Sequence, residues 1–245
     1  MITLIERLKL KYAPASIRRT NVKPEGAMEF APGKWGCVVA MMGAVVKKGK
    51  TAAFSDATCS CAGGRIGLGF TETYAPGFRE FLSRGDAEGK CTWHREPEGY
   101  KKSPAAVEAW FQGLPTRKIT EKYVVFEPLD KVPEGEEPEL VVLYVTSDQL
   151  SALVVLANYD RPNADGVMIP QGAGCQTFCL FPWHEAEQEH PRAVVGMTDI
   201  SCRHLIDDNM LSITMPYAMY RQMKENAEGS FLDRETWKRN VEKRL

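Results

Sequence analysis

Histidine is scarce in this chain, with 4 residues among 245. That leaves little material for an imidazole acid–base centre, and Cys–His catalysis would have to bring its histidine from a distance. Charge of one sign is also lacking. The 31 basic and 32 acidic residues leave a net charge of −1, so no global field favours nucleic acid or an anionic membrane. Basic doublets stand at Arg18-Arg19, Lys47-Lys48 and Lys101-Lys102; each is too short for a nucleic-acid footprint and reads as solvated surface. No run approaches the ~18 apolar residues of a membrane span. The opening Met1-Ile2-Thr3-Leu4-Ile5-Glu6-Arg7 meets charge before a signal-peptide core forms. A soluble cytoplasmic protein with neither nucleic-acid nor membrane partners is expected.

What is present is ordinary globular material, 44% hydrophobic and 26% charged, long enough to bury a sizeable core. The 7 cysteines are Cys37, Cys59, Cys61, Cys91, Cys175, Cys179 and Cys202. An odd number in a chain without an export signal points to free thiols or metal ligands rather than a disulfide framework.

The most legible unit begins at Leu140-Val141-Val142-Leu143-Tyr144-Val145, a continuous apolar run of the kind a sheet covered on both faces needs. Ser147 then caps a predicted helix from Asp148 to Asn158 with Leu150, Leu153, Val154 and Ala157 on one stripe. Ser103-Pro104 sets the start of a helix through Gln112, closed by Gly113 and Pro115. A buried helix is predicted over Trp35–Val46, ended by Lys47 to Lys50 with Gly49. Short strands are expected at Ala15–Ile17, Thr51–Phe54, Tyr123–Phe126, Gly166–Ile169, Ala193–Met197 and Leu211–Met215. Amphipathic helices are expected over Ile2–Leu10 and in the tail through Trp237, Val241 and Leu245, and Pro216 opens a further helix through about Glu225. The fold class is α/β, a mixed sheet with helices on its faces, with α+β as the alternative. One domain over 1–245 is expected, carrying two diverged halves at about 12–128 and 138–228 and a C-terminal helix over 231–245.

The halves are suggested by two similar loops. Cys59-Ser60-Cys61-Ala62-Gly63-Gly64-Arg65 and Gln171-Gly172-Ala173-Gly174-Cys175-Gln176-Thr177 each follow a short strand and contain Ala-Gly. If they meet, they enclose a thiol-rich pocket. Thiolates are soft ligands, so Cys61 and Cys175, with Cys59 and Cys37 as further candidates, could hold an iron–sulfur cluster or zinc for redox or metal handling. Their spacing matches neither a ferredoxin run nor paired C-x2-C zinc halves. The other reading makes Gly63, Gly64, Gly172 and Gly174 the walls of a small-molecule, anion or cofactor site with incidental cysteines, although neither loop is a G-x-G-x-x-G or Walker sequence. Cys179 and Cys202 read as small core hydrophobes, and Cys37 as either core or ligand. Cys91-Thr92-Trp93-His94 has the spacing of half a zinc site but reads as a surface loop, since a structural zinc needs four ligands. His184-Glu185 and His190 do not make an H-E-x-x-H helix. No catalytic residue is named, and partners beyond a small molecule or metal are left open.

Several stretches carry a resemblance: Tyr100-Lys101-Lys102-Ser103-Pro104, Cys61-Ala62-Gly63-Gly64-Arg65, Pro138-Glu139-Leu140-Val141-Val142-Leu143-Tyr144, Asp148-Gln149-Leu150-Ser151-Ala152-Leu153-Val154, Gly172-Ala173-Gly174-Cys175-Gln176-Thr177 and Gly196-Met197-Thr198-Asp199. Over Leu8 to Met223 the chain resembles the uncharacterised family called domain of unknown function 169. The resemblance implies no activity. It implies cysteines at the positions of Cys61, Cys175 and Cys37, while Cys59, and Cys202 where alanine is more usual, depart from the pattern, so the thiols do not all share one role.

Overall fold

A computed structural model describes residues 3–92 and 96–245. In chain order its elements are α1 (Leu4–Arg7), β1 (Ala15–Thr20), α2 (Val38–Lys48), β2 (Ala52–Ser55), α3 (Ala62–Gly67), α4 (Phe78–Leu82), α5 (Pro104–Gln112), β3 (Tyr123–Pro128), β4 (Leu140–Thr146), α6 (Ser147–Ala157), β5 (Val167–Met168), a π-helical turn Gln176–Leu180 running into α7 (Phe181–Ala186), β6 (Ala193–Gly196), a 3-10 turn Ile200–Leu205, β7 (Met210–Pro216), α8 (Tyr217–Asn226) and α9 (Glu235–Asn240).

The strands form one seven-stranded mixed sheet in the order β2-β3-β1-β4-β7-β6-β5. Its pairings are antiparallel except β5 with β6. β4 lies at the centre and is buried along Leu140 to Val145, which accounts for its unbroken apolar sequence. Leu140, Val142 and Tyr144 face one apolar layer with Ile17, Phe54, Phe126, Phe178 and the Val38, Met42 and Val45 stripe of α2. Val141, Leu143 and Val145 face the other, with Leu153 and Leu156 of α6, Tyr220 and Met223 of α8, and Trp237 of α9. Helices therefore cover both faces, as the sequence predicts.

The stretches expected as two halves share this sheet, joined where Ala15, Ser16 and Ile17 of β1 pair with Val142, Val141 and Leu140 of β4. Strand order echoes across that seam. In each half the first strand lies innermost, the last beside it, and the others outside. The helix after the first strand does not repeat its position: α2 packs on one face and α6 on the other.

Local chemistry sets the boundaries. Ser103 Oγ accepts from the Ala106 amide (3.2 Å) with Pro104 opening α5, as predicted. The cap of α6 falls one residue earlier than predicted, on Thr146, whose hydroxyl accepts from Gln149 N while Gln149 Oε1 accepts from Thr146 N. α2 starts at Val38 rather than Trp35, with Cys37 as its N-cap, and ends at Gly49 with φ 60. α1 is shorter than predicted because the chain turns at Lys9, whose φ is 47; Ile2 lies outside the described residues. The single predicted C-terminal helix is replaced by 3-10 turn Phe231–Asp233, α9, and 3-10 turn Glu242–Arg244, broken at Asn240-Val241, both weak helix formers.

Arg18 and Arg19 correct the surface reading of that doublet. They extend β1, and Arg18 pairs with buried Glu127 at 2.7 Å, their side chains 11% and 4% exposed. Arg19 pairs with Glu139 at 2.9 Å. No helix among the described residues is long and apolar enough to cross a membrane.

Candidate functional site

The two cysteine-glycine loops do meet, above the face of the sheet that carries α2. α3 packs against the π-helical turn, and the thiol of Cys175 donates to the carbonyl of Gly63 at 3.2 Å. The approach is close enough to require glycine at position 67. A Cβ there would lie 2.8 Å from the Cys175 backbone carbon and 2.9 Å from its sulfur.

Between the loops and the two flanking segments opens a cleft of about 720 Å³. Its floor is the start of α2 with Cys37, the start of α3 with Cys61, and Gly172 to Gln176. One wall is aromatic, built by Tyr74, Phe78, Phe81, Trp110 and Phe111 from α4, α5 and the loop before them. Tyr74 and Phe111 stack with centroids 3.5 Å apart and planes at 3°. These rings belong to an apolar group distinct from the two that flank the sheet. Lys101 bridges wall to loop, its Nζ 2.6 Å from Gln171 Oε1 and 4.8 Å from the Trp110 ring centroid.

The opposite wall is Thr198 to Cys202, which follows β6 through Met197 at φ 61. Asp199 organises it. Its carboxylate accepts from the Gly174 amide (3.1 Å), the Ser201 amide (3.1 Å) and Ser201 Oγ (2.8 Å). Tyr100 Oη accepts from the Ser201 amide at 3.0 Å. Trp35 and Ile200 stand at the mouth, 64% and 72% exposed. No lysine or arginine is among the described residues that line the cleft, whereas Asp199 and Glu98 are.

The thiols divide by environment. Burial pushes Cys175 and Cys179 well above the ordinary thiol value and Cys59 up to about 12; all of them are neutral S–H groups at physiological pH. Cys61, half-buried, accepts from the Gly64 amide at 3.4 Å. Cys37 differs, because the Cys202 thiol donates to its sulfur and, with the amides of Ala40 and Val39 acting in the same direction, lowers it to about 6 against the penalty of burial. The same contact raises Cys202, which remains the donor.

The structure thus brings Cys61, Cys175 and Cys37 to one cleft, with Cys59 buried against Gly64 beneath its floor. Among the described residues no group of three or more His, Cys, Asp or Glu side chains is arranged to hold a metal ion. Of the four predicted cofactor glycines, Gly63, Gly172 and Gly174 line the cleft and Gly64 does not. A Cβ on Gly64, Gly172 or Gly174 would meet Val38, Phe181 or Val39 within 2.9 Å, so packing by itself accounts for these glycines. Cys179 is core, as read; Cys202 is not, but part of the cleft wall. Cys91 packs against the aromatic group, and its spacing partner His94 lies outside the described residues. The sequence reading missed Asp199 as an organising carboxylate, naming it only within the Gly196-Met197-Thr198-Asp199 stretch. Its signal was position, directly after a strand and beside the Gly196-Met197 turn. The aromatic wall carried none, because its rings come from stretches separated in the chain.

Fold and site together define a protein built on one mixed sheet, with a thiol-bearing cleft lined by two glycine loops and an aromatic wall. The chain belongs to domain of unknown function 169, described as an uncharacterised ArCR family, whose model matches residues 3–226. No curated protein and no solved structure matches the chain.

Proposed function

We propose that the protein binds a small organic molecule with an apolar or aromatic body, neutral or cationic, in the cleft between the two loops. The observation that carries this is the cleft itself, about 720 Å³ with an aromatic wall and a few convergent polar groups, inside the ~300–1,000 Å³ range of ligand sites. Its sign of charge narrows the ligand. Asp199 and Glu98 line it and the described lining carries no fixed cation, while aromatic faces attract cations and repel anions. The loop amides argue in the same direction, since those of Gly64, Ala173 and Gly174 are occupied by Cys61, Gln176 and Asp199 rather than turned to an anion.

Thermal shift with a matched series, tryptamine, indole and indole-3-acetate, tests this reading. Tryptamine and indole should stabilise the protein more than the acetate does, and Phe111→Ala should abolish the effect. A preference for the carboxylate, or stabilisation indifferent to Phe111→Ala, would overturn it. Cys61→Ser should leave binding intact.

A second reading keeps an iron–sulfur cluster or other thiophilic metal on Cys61 and Cys175, with Cys59 and Cys37. In its favour is the gathering of Cys59, Cys61 and Cys175 around Gly63 and Gly64. Its residues do not fit as they stand: Cys175 donates its proton to a carbonyl, and both Cys175 and Cys59 are pushed up by burial, whereas ligation needs thiolates. Anaerobic purification followed by metal and sulfide analysis separates the readings. Stoichiometric metal lost in Cys61→Ser favours the second.

A further inference from the structure

We infer that Asp199 is the counter-ion for a protonated amine, so that the ligands of the cleft are small arylalkylamines and this carboxylate decides their specificity. The inference rests on the cleft being a small-molecule site, as proposed above. Asp199 is half-buried and lines the cleft. Among the described residues no cation pairs with it, and every hydrogen bond it accepts comes from a neutral group. Oδ1 takes the Ser201 amide (3.1 Å), Ser201 Oγ (2.8 Å) and, more weakly, Tyr100 Oη (3.5 Å), while Oδ2 takes the Gly174 amide (3.1 Å) alone. A carboxylate offers about four acceptor positions over its two oxygens, so Oδ2 keeps one open. Partly desolvated charge is costly unless it is paired. The N–H of an ammonium supplies both the missing bond and the missing charge.

The protein's own nearby cations are turned elsewhere. Arg203, four residues on, donates to the carbonyls of Met197, Asp208 and Met210. Lys101 is engaged by Gln171 Oε1 and the Trp110 ring. The carboxylate is also tied to the aromatic wall, because Tyr100 reaches Asp199 with its hydroxyl while its ring packs against the group of Phe78, Phe81 and Phe111. An amine whose nitrogen meets Oδ2 therefore has an apolar surface for its body in the same cleft, and ring faces add attraction for its positive end. An alcohol of the same shape fills the open acceptor position but leaves the charge unpaired, which makes the carboxylate selective. Glu98 lines the cleft as well, so the test has to separate the two acids.

The test is isothermal titration calorimetry of the full-length protein with tryptamine and with tryptophol, its neutral isostere. Wild type should bind tryptamine about tenfold or more tighter, the size of one hydrogen bond to a charged group. Asp199→Asn, which keeps one acceptor oxygen for Ser201, should bring the two ligands level by weakening tryptamine. Equal affinities in wild type, or a preference for tryptamine that survives in Asp199→Asn, overturns the inference and leaves the small-molecule reading of the cleft in place. Absence of binding by either ligand overturns both. If circular dichroism shows Asp199→Asn unfolded, wild type treated with tryptamine and a water-soluble carbodiimide decides. The resulting amide should map to Asp199 by peptide mass spectrometry, and a digest with no amide on Asp199, whether or not Glu98 carries one, overturns the inference.

Discussion

At Cys37 the reactivity of one side chain is set by what faces it: Cys202 and Asp199 from the wall after β6, Tyr144 from β4, and the first amides of α2. The donor from Cys202 and the amides favour the thiolate; burial and the Asp199 carboxylate oppose it. Iodoacetamide labelling of Cys37 followed against pH should therefore rise through a midpoint near 6. In Cys202→Ala the midpoint should move up toward the ordinary ~8.5 of a thiol. The rate at neutral pH should change less than the midpoint, because a more basic thiolate is also a better nucleophile. A midpoint that stays put in the variant would mean that Cys202 does not hold the charge. The two sulfurs were invisible as a pair in the sequence, where 164 intervening residues separate Cys37 from Cys202, Cys202 alone reads as a small core hydrophobe and Cys37 as either core or ligand. The same blindness applied to Arg18 and Arg19, whose carboxylate partners Glu127 and Glu139 lie on other strands.

Elements were more legible where their signal is local. The β4–α6 unit and α5 stand within a residue or so of their predicted bounds, because a covered central strand must be apolar throughout and because caps are read from a few adjacent residues. The capping box of α6 also does tertiary work. Gln149 Nε2 reaches the carbonyls of Leu8 (3.0 Å) and Lys9 (3.1 Å), holding the left-handed turn that ends the N-terminal segment. Thr146→Ala should cost about 1 kcal/mol, the usual worth of a cap. Gln149→Ala should cost more, about 2 kcal/mol, since it also takes the donor from the buried Leu8 carbonyl and from that of Lys9. Urea unfolding of both variants checks the order, and equal losses would show that the bonds to Leu8 and Lys9 add nothing. The π-helical turn after Cys175 had no such local mark. Nothing in Gln176 to Leu180 distinguishes a π-turn from an α-helix, and the close seat of Cys175 on Gly67 is a property of tertiary packing.

For the whole molecule, the two Cys-Gly loops that echo each other in sequence meet across one cleft, but the echo does not tell how the stretches that carry them join. Repetition of strand order with α2 and α6 on opposite faces is a property of packing that no alignment of the loops contains. The N-terminal segment, α2 and the loop before β7 are tied together by one carboxylate. Asp207 accepts from Lys11 (2.6 Å), Lys47 (2.7 Å) and Tyr12 (2.9 Å). Lys11 first, then Lys47, hold its acid form well below the usual carboxylate range. Because the folded value is depressed relative to the unfolded ~3.9, the unfolded chain binds the extra proton. The stabilisation is then present at neutral pH and is lost as pH falls from about 4 toward the folded value. Asp207→Asn removes that titration along with the ion pairs. The variant should have a lower urea midpoint than wild type at pH 7, and the gap should narrow by pH 3 as the wild-type carboxylate begins to lose its advantage. Other acids titrate in the same window, but they are common to both proteins and cancel in the comparison. A gap that is the same at both pH values would place the contribution of Asp207 in neutral hydrogen bonding, with its charge immaterial to how the N-terminal segment is held against α2.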